Sequence, residues 1–295
     1  MNEDPYECPF LTSQQHTGIL DFRPFSPKQW EGIQMSTEGR VTTERHGHVF
    51  LIGLDRVAKH NAFDQAMLHA LGQAYGELDR DEDLRCGVLF AHGDHFTAGL
   101  ELTQFVGTLG KGLQTLQEGE IDPLGINGPQ LTKPMVCSLQ GYCWTLGIEL
   151  MLATDIRIAA SNTRFAQIEI KRGIYPVGGA TIRFPREAGW GNAMRYLLTG
   201  DEFSAAEAFR LGLVQEVVEP GQQLTRAEEI AQTIAVQAPL GVRATLASAR
   251  RALAESEEEA MHCLGPDLQP ILQSEDAQEG ITSFVERRQA NFKGR

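Results

Sequence analysis

From residue 40 onward, apolar positions fall into short consecutive runs separated by longer amphipathic stretches. Arg40-Val-Thr-Thr-Glu-Arg45 and Val49-Phe-Leu-Ile-Gly-Leu54 flank His46-Gly47 and predict a hairpin. Its second strand is apolar at successive positions, as a strand buried on both faces must be. Phe63, Met67, Leu71, Ala74, Tyr75 and Leu78 recur at helical spacing. Cys86 to Ala91 and Met135 to Leu139 read as short buried strands, Gly147 to Ala153 as a helix and Asp155 to Ala160 as another strand. Leu100 to Val106 would add a helical segment. Short apolar strands with intervening helices imply parallel sheet and right-handed crossovers, so the fold class is α/β.

Gly107 to Gly128 holds six glycines and few apolar anchors, which marks a loop beside the core. After Gly179 the pattern is almost wholly helical, with Val214 to Val218 the one expected strand and Pro220-Gly221 punctuating the change. Three regions follow: an extended Pro-, Gln-, Ser- and Thr-rich leader over 1–38, a core over 39–200, and a mostly helical region over 201–295. Met35-Ser-Thr-Glu38 would serve as an alternative start, an ordinary N-terminal extension being the other reading.

At 295 residues the chain is long enough to bury a substantial core without staples. Its five cysteines form no CxxC pair, which fits a reducing compartment such as the cytoplasm. No apolar run approaches the ~20 residues that span a bilayer, and the first residues lack the order of a signal peptide. A formal charge of −13 argues against nucleic acid or an anionic membrane as partner. His92, Asp94 and His95 lack further ligands at matching spacing, so no metal is expected. Gly178-Gly179 lacks the lysine and hydroxyl of a phosphate loop, and Cys137 and Cys143 lack a basic neighbour in sequence that would make them nucleophiles.

Candidate chemistry concentrates around two glutamates, Glu149 and Glu169. A helix beginning near Leu146 leaves N–H groups unpaired at its first turn, and these favour a negatively charged oxygen. Gly99 permits a tight turn that would aim the Leu100 N–H at the same point. Two convergent donors make an oxyanion hole, in which one donor is worth about 2.7–4 kcal/mol in the transition state. Paired carboxylates beside such a hole suit proton transfer next to a carbonyl.

Over roughly residues 40–295 the chain resembles the enoyl-CoA hydratase/isomerase, or crotonase, superfamily. The resemblance is carried by Phe96-Thr-Ala-Gly-Leu-Glu101, Lys133-Pro134-Met-Val, Gly141-Tyr142, Glu149-Leu150, Asp155-Ile-Arg-Ile-Ala159, Phe165-Ala-Gln-Ile-Glu169, Gly173-Ile-Tyr-Pro176, Leu198-Thr-Gly200 and Ala208-Phe-Arg-Leu-Gly-Leu-Val214. It implies a spiral of repeated β-β-α units with a helical C-terminal region used for oligomerisation, as a trimer or hexamer, and for completing the active site. It also implies a 2-enoyl-CoA substrate whose carbonyl is held by the Leu100 and Leu146 amides. Glu169 would then exchange the α-proton while Glu149 activates water for attack at the β-carbon. Coenzyme A enters as part of the substrate and no other cofactor is implied.

The same resemblance places the adenosine end near Lys59, His60 and Ala62, with Arg56 and Lys59 as phosphate contacts and Ala98, Trp144 and Thr145 along the substrate. Phe284 and Arg287 on the last helix would reach a neighbouring site. The alternative chemistry within the family is double-bond isomerisation or another acyl-CoA lyase or hydrolase reaction. Thr145-Leu146-Gly147 stands where hydratases usually carry three glycines, and Ile168 stands where a proline usually precedes the second glutamate. Bulk at Trp144, Thr145 and Leu146 is expected to narrow the acyl tunnel or to move the thioester.

Overall fold

The computed structural model describes residues 38–105, 113 and 115–295. Residues 1–37 of the expected leader, its Met35 start, Val106 and part of the glycine-rich loop lie outside them. Residues Thr37–Arg295 form one unit. It opens with the hairpin β1 (Arg40–His46) and β2 (Val49–Asp55), followed by α1 (Gln65–Arg80), β3 (Cys86–Ala91), β4 (Met135–Leu139) and β5 (Tyr142–Trp144). Next come α2 (Leu146–Ala153), β6 (Ile156–Ala160), β7 (Arg164–Ala166), α3 (Ala180–Ala188), α4 (Trp190–Leu197) and β8 (Glu202–Ser204). The chain then runs through α5 (Ala205–Arg210), β9 (Glu216–Val218), α6 (Gln223–Ala235), α7 (Pro239–Ala254), α8 (Glu257–Leu272) and α9 (Glu275–Glu286).

β1 and β2 pair antiparallel with Arg40 opposite Asp55, and Gly47 at φ +63° makes the reversal. The larger sheet has the order β1-β2-β3-β4-β6-β9, parallel from β2 onward. A smaller sheet has the order β5-β7-β8, and single bridges from Phe63 to Leu100 and from Thr97 to Cys143 carry its layer back towards the start of the chain. β4-β5-α2 and then β6-β7-α3 each lay one strand in either sheet before a helix, which is the expected β-β-α spiral.

Both faces of the larger sheet are covered, and alternation along β2 shows how. Val49 and Leu51 join the alanine face of α6 (Ala227, Ala231, Ala235), while Phe50, Ile52 and Leu54 join α1's Met67, Leu71 and Leu78. Each fully buried valine, leucine, isoleucine, phenylalanine or methionine here contributes about 1.5–3 kcal/mol relative to exposure. Asp64 starts α1 by accepting from Met67 N at 2.9 Å and, with its other oxygen, from Gly39 N at 2.7 Å. This one carboxylate fixes both the helix and the entry to β1.

Two elements differ from expectation. β8 falls in a stretch read as helical; at three residues it is too short for alternation to reveal, and it exists because Phe203 packs on Phe165 of β7 at 5.3 Å. The segment after Leu100 forms only a 3-10 turn over Leu102–Gln104. Among the described residues, no helix is long and apolar enough to cross a membrane.

Candidate active site

Three turns meet at the C-terminal ends of the parallel strands, and backbone hydrogen bonds lace them together. His60 O accepts from Ala98 N at 2.9 Å, and Asn61 O accepts from Thr97 Oγ1 at 2.7 Å. Thr97 N donates to Tyr142 O at 2.9 Å and Trp144 N donates to Thr97 O at 3.0 Å. The Lys59–Ala62, Thr97–Leu100 and Trp144–Leu146 turns are therefore held in fixed register. Gly99 sits at φ +98°, where a Cβ would lie 1.8 Å from Thr145 Oγ1. The residue before Leu100 thus touches the residue before Leu146. Among the described residues neither the Leu100 nor the Leu146 N–H has a hydrogen-bond partner, and Leu146 opens α2, whose first amides are unpaired by construction.

Glu149 lies in the first turn of α2 and is 3 % exposed. Its Oε1 accepts from Gly178 N at 2.6 Å and from Ala180 N at 3.3 Å. Burial favours the neutral acid and outweighs the Ala180 and Gly178 amides and the Arg183 charge, so its pKa rises to about 7. Glu169 opens the 3-10 turn that follows β7, and its Oε1 accepts from Gln167 Nε2 at 3.0 Å. Burial again leads; the Glu169 amide and Gln167 oppose it and the Glu149 charge adds to it, which takes the pKa to about 8. Its Oε2 is buried and has no hydrogen-bond partner among the described residues. Glu149 is thus buried and Glu169 half-buried, each is fixed through one oxygen, and the two lie within electrostatic reach of each other.

The sequence profile of the Enoyl-CoA hydratase/isomerase family matches residues 44–295. The chain is 35 % identical over 256 residues to enoyl-CoA hydratase EchA19 of Mycobacterium tuberculosis, covering 85 % of this chain and 96 % of that protein. It is 30 % identical over 261 residues to the short-chain-enoyl-CoA hydratase of Clostridium acetobutylicum, covering 86 % and 98 %. The crystal structure of a probable enoyl-CoA hydratase/isomerase from Mycobacterium abscessus superposes with a TM-score of 0.85 at 50 % identity, covering 88 % of this chain and all of that one.

The chain belongs to the enoyl-CoA hydratase/isomerase family.

Several residues take different roles in this hydratase/isomerase-family chain from those expected. The Arg56 side chain is only 1 % exposed, with Nη2 2.7 Å from Glu101 and 3.4 Å from Asp64, while Nη1 donates to Ala62 O at 2.8 Å. It is a buried ion-pair centre behind the turn and does not face solvent as a phosphate contact would. Leu146 is 1 % exposed and its side chain joins the main apolar core, so it does not wall an open tunnel. Its neighbour Thr145 adopts a glycine-like backbone, at φ +50° and ψ −111°.

Lys59 and His60 are exposed, and Ala62 and Ala98 are half-buried beside them. From there an aromatic column runs towards the α2 start: His60 to His95 at 4.7 Å, His95 to Tyr142 at 4.0 Å and Tyr142 to Trp144 at 4.0 Å. His95 Nδ1 accepts from Tyr142 N at 3.1 Å and His92 Nε2 meets Thr42 Oγ1 at 2.7 Å, so both rings serve packing. Phe284 is 84 % exposed and Arg287 is exposed. The tail after α9 lies beside His48 and Arg85, at the opposite strand ends from Glu149, so this chain does not bring Phe284 and Arg287 to its own glutamates.

Sequence reasoning missed what holds the carboxylates. Gly178 is the clearest case: a Cβ there would lie 2.4 Å from Glu149 Oε2, so only glycine lets the turn close on the carboxylate. The Pro176 to Gly179 stretch, glycine-bearing and just past the second glutamate, was the available signal. Gln167, two residues before Glu169, was another. Asn61 was missed as well, and it braces the backbone instead: its Nδ2 bonds both His92 O and His95 O.

Proposed function

We propose that the chain hydrates a 2-enoyl-CoA thioester. The observation that carries this reading is a pair of carboxyls, each fixed through one oxygen and both held above the ordinary carboxylate range by burial, beside two backbone N–H groups that have no partner among the described residues. The thioester oxygen accepts from the Leu100 and Leu146 amides, which gain strength as charge moves onto it in the enolate-like transition state. Glu149, ionised, takes a proton from the water that attacks the β-carbon. Glu169, protonated, delivers its proton to the α-carbon, and transfer of the Glu149 proton to Glu169 restores the starting state.

The pH profile follows. kcat/KM is expected to rise as Glu149 ionises through about pH 7 and to fall as Glu169 ionises through about pH 8, giving a narrow bell that reports the pair together. Loss of enoyl absorbance with crotonyl-CoA between pH 5.5 and 9.5 checks this; a flat profile would remove the acid–base assignment. Chromatography of the product separates hydration from isomerisation. Dialysis against a chelator is expected to leave the rate unchanged, since no step uses a metal. Lys59 and the His60-to-Trp144 column offer a path for the coenzyme A arm.

Residues 201–295 serve assembly in this proposal. Met261, Leu264, Leu268 and Leu272 form one stripe along α8 with exposures of 63, 55, 47 and 56 %, a solvated apolar face unusual for a monomer. Light scattering is expected to give three or six times the 32.5 kDa chain mass, and Leu268→Glu is expected to lower it. A monomeric parent protein would exclude Phe284 and Arg287 from any neighbouring site.

A further inference from the structure

The glutamate nearest the start of α2 is oriented by a turn, and the turn is held by one arginine. Gly178 uses both sides of its backbone: its N–H donates to Glu149 Oε1 at 2.6 Å, and its carbonyl accepts from Arg183 Nη1 at 3.4 Å. The other arm of the same guanidinium, Nη2, donates to Leu124 O at 2.6 Å. Leu124, Asp122 and Asn127 belong to a segment that, with Leu68, Leu150 and Val177, lines a small and mostly apolar cavity of about 120 Å³. Leu150 follows Glu149 and Val177 precedes Gly178, so the cavity lies against the same two elements. A planar fork is suited to this task, because it reaches two carbonyls on separate segments at once and a lysine ammonium does so poorly.

We infer that Arg183 is a positioning residue for Glu149, fixing the turn that aims its carboxylate and tying that turn to the Leu124 wall of the adjoining cavity. The inference rests on the hydratase reading for its kinetic consequences, though not for its structural ones. The charged groups involved are few. Glu169, from the 3-10 turn, and Arg183, from α3, face Glu149. Arg183 in turn faces Arg186 and Glu187 on its own helix, Asp122 from the loop, and Glu149. Arg183 sits on the favourable side of Glu149's balance, stabilising the carboxylate. Its loss therefore raises the proton affinity of Glu149 and moves the acid limb of the rate profile to higher pH. A residue that only braced the loop would change stability and leave that limb in place.

Arg183→Met and Arg183→Lys in the full chain separate the effects. Arg183→Met is expected to lower kcat about 100-fold for crotonyl-CoA, the scale of an ångström-level misplacement, with KM changed less than about threefold and the acid limb moved up. Arg183→Lys keeps the charge but reaches one carbonyl, so the limb stays at its parent position while kcat falls about tenfold. A readout free of turnover comes from infrared titration of the Glu149 carboxyl in a Glu169→Gln background. Its midpoint should move up with Arg183→Met and stay with Arg183→Lys.

Parent-like kcat and an unmoved infrared midpoint in a folded Arg183→Met protein would overturn the inference. If that variant does not fold, Arg183→Lys decides, and parent-like kcat and KM there would overturn it equally. A parent protein that hydrates no enoyl-CoA, with the infrared midpoint still shifted by Arg183→Met, would sink the hydratase reading and leave the positioning role standing.

Discussion

Glu169→Gln is expected to lower kcat for crotonyl-CoA hydration by 10²- to 10⁴-fold, the range for loss of a positioned acid or base, with KM within a factor of about three. Glu149→Gln is expected to fall in the same range, and the double variant to be little worse than either single one, because the two groups act on one transition state. Stability distinguishes this from structural damage. Both folded-state pKa values lie above the unfolded value of 4.5, so the fold binds extra protons between that value and about 7 or 8. Stability is therefore highest at low pH within this window and declines as pH rises through it. Neutral glutamine carries no such penalty. Glu149→Gln should gain on the order of 3 kcal/mol over the parent at pH 8.5 and nothing at pH 4. Denaturant unfolding at both values checks this; a variant that loses activity and is also less stable at pH 8.5 would mark Glu149 as a structural residue.

The parts of the fold that could be read from the sequence were those in which a side chain's type states its surroundings. β3 and β4 match their sequence runs residue for residue, because a strand covered on both faces is apolar at nearly every position, Ser138 being the exception. Glu149 could be read as well, since a carboxylate in the first turn of an apolar helix is conspicuous. Arg56 was not, because a cation after a strand looks the same whether it meets a phosphate or Glu101, and the acid that claims it lies 45 positions on. Leu146 misled for a related reason: sequence states that a Cβ exists and not which way it points. The Gly178 turn was hardest, because backbone amides carry out its task and leave no chemical signature beyond the glycine that permits the approach.

Gly99→Ala is expected to damage the proposed oxyanion site severely through a single methyl group. Gly99 precedes one proposed oxyanion donor and Thr145 the other, and the new Cβ would stand 1.8 Å from Thr145 Oγ1, so a single clash displaces both turns. At φ +98° the alanine is also strained at its own position, at a cost of about 1–3 kcal/mol in stability. With one donor worth about 2.7–4 kcal/mol, misaiming the pair lowers kcat/KM by at least 10³-fold. The clash has a named partner, which makes it reversible by design. Thr145→Gly removes the opposing hydroxyl and relieves a non-glycine residue held at φ +50°. Alone it should leave activity near the parent level and raise stability slightly. In combination with Gly99→Ala it should recover activity by about 0.5–3 kcal/mol in a double-mutant cycle, the usual coupling for residues in contact. Hydration rates and circular dichroism on the four proteins decide the matter. Full activity in Gly99→Ala would dissociate the two turns from the chemistry, and strictly additive effects would show that Thr145 is not what the methyl strikes.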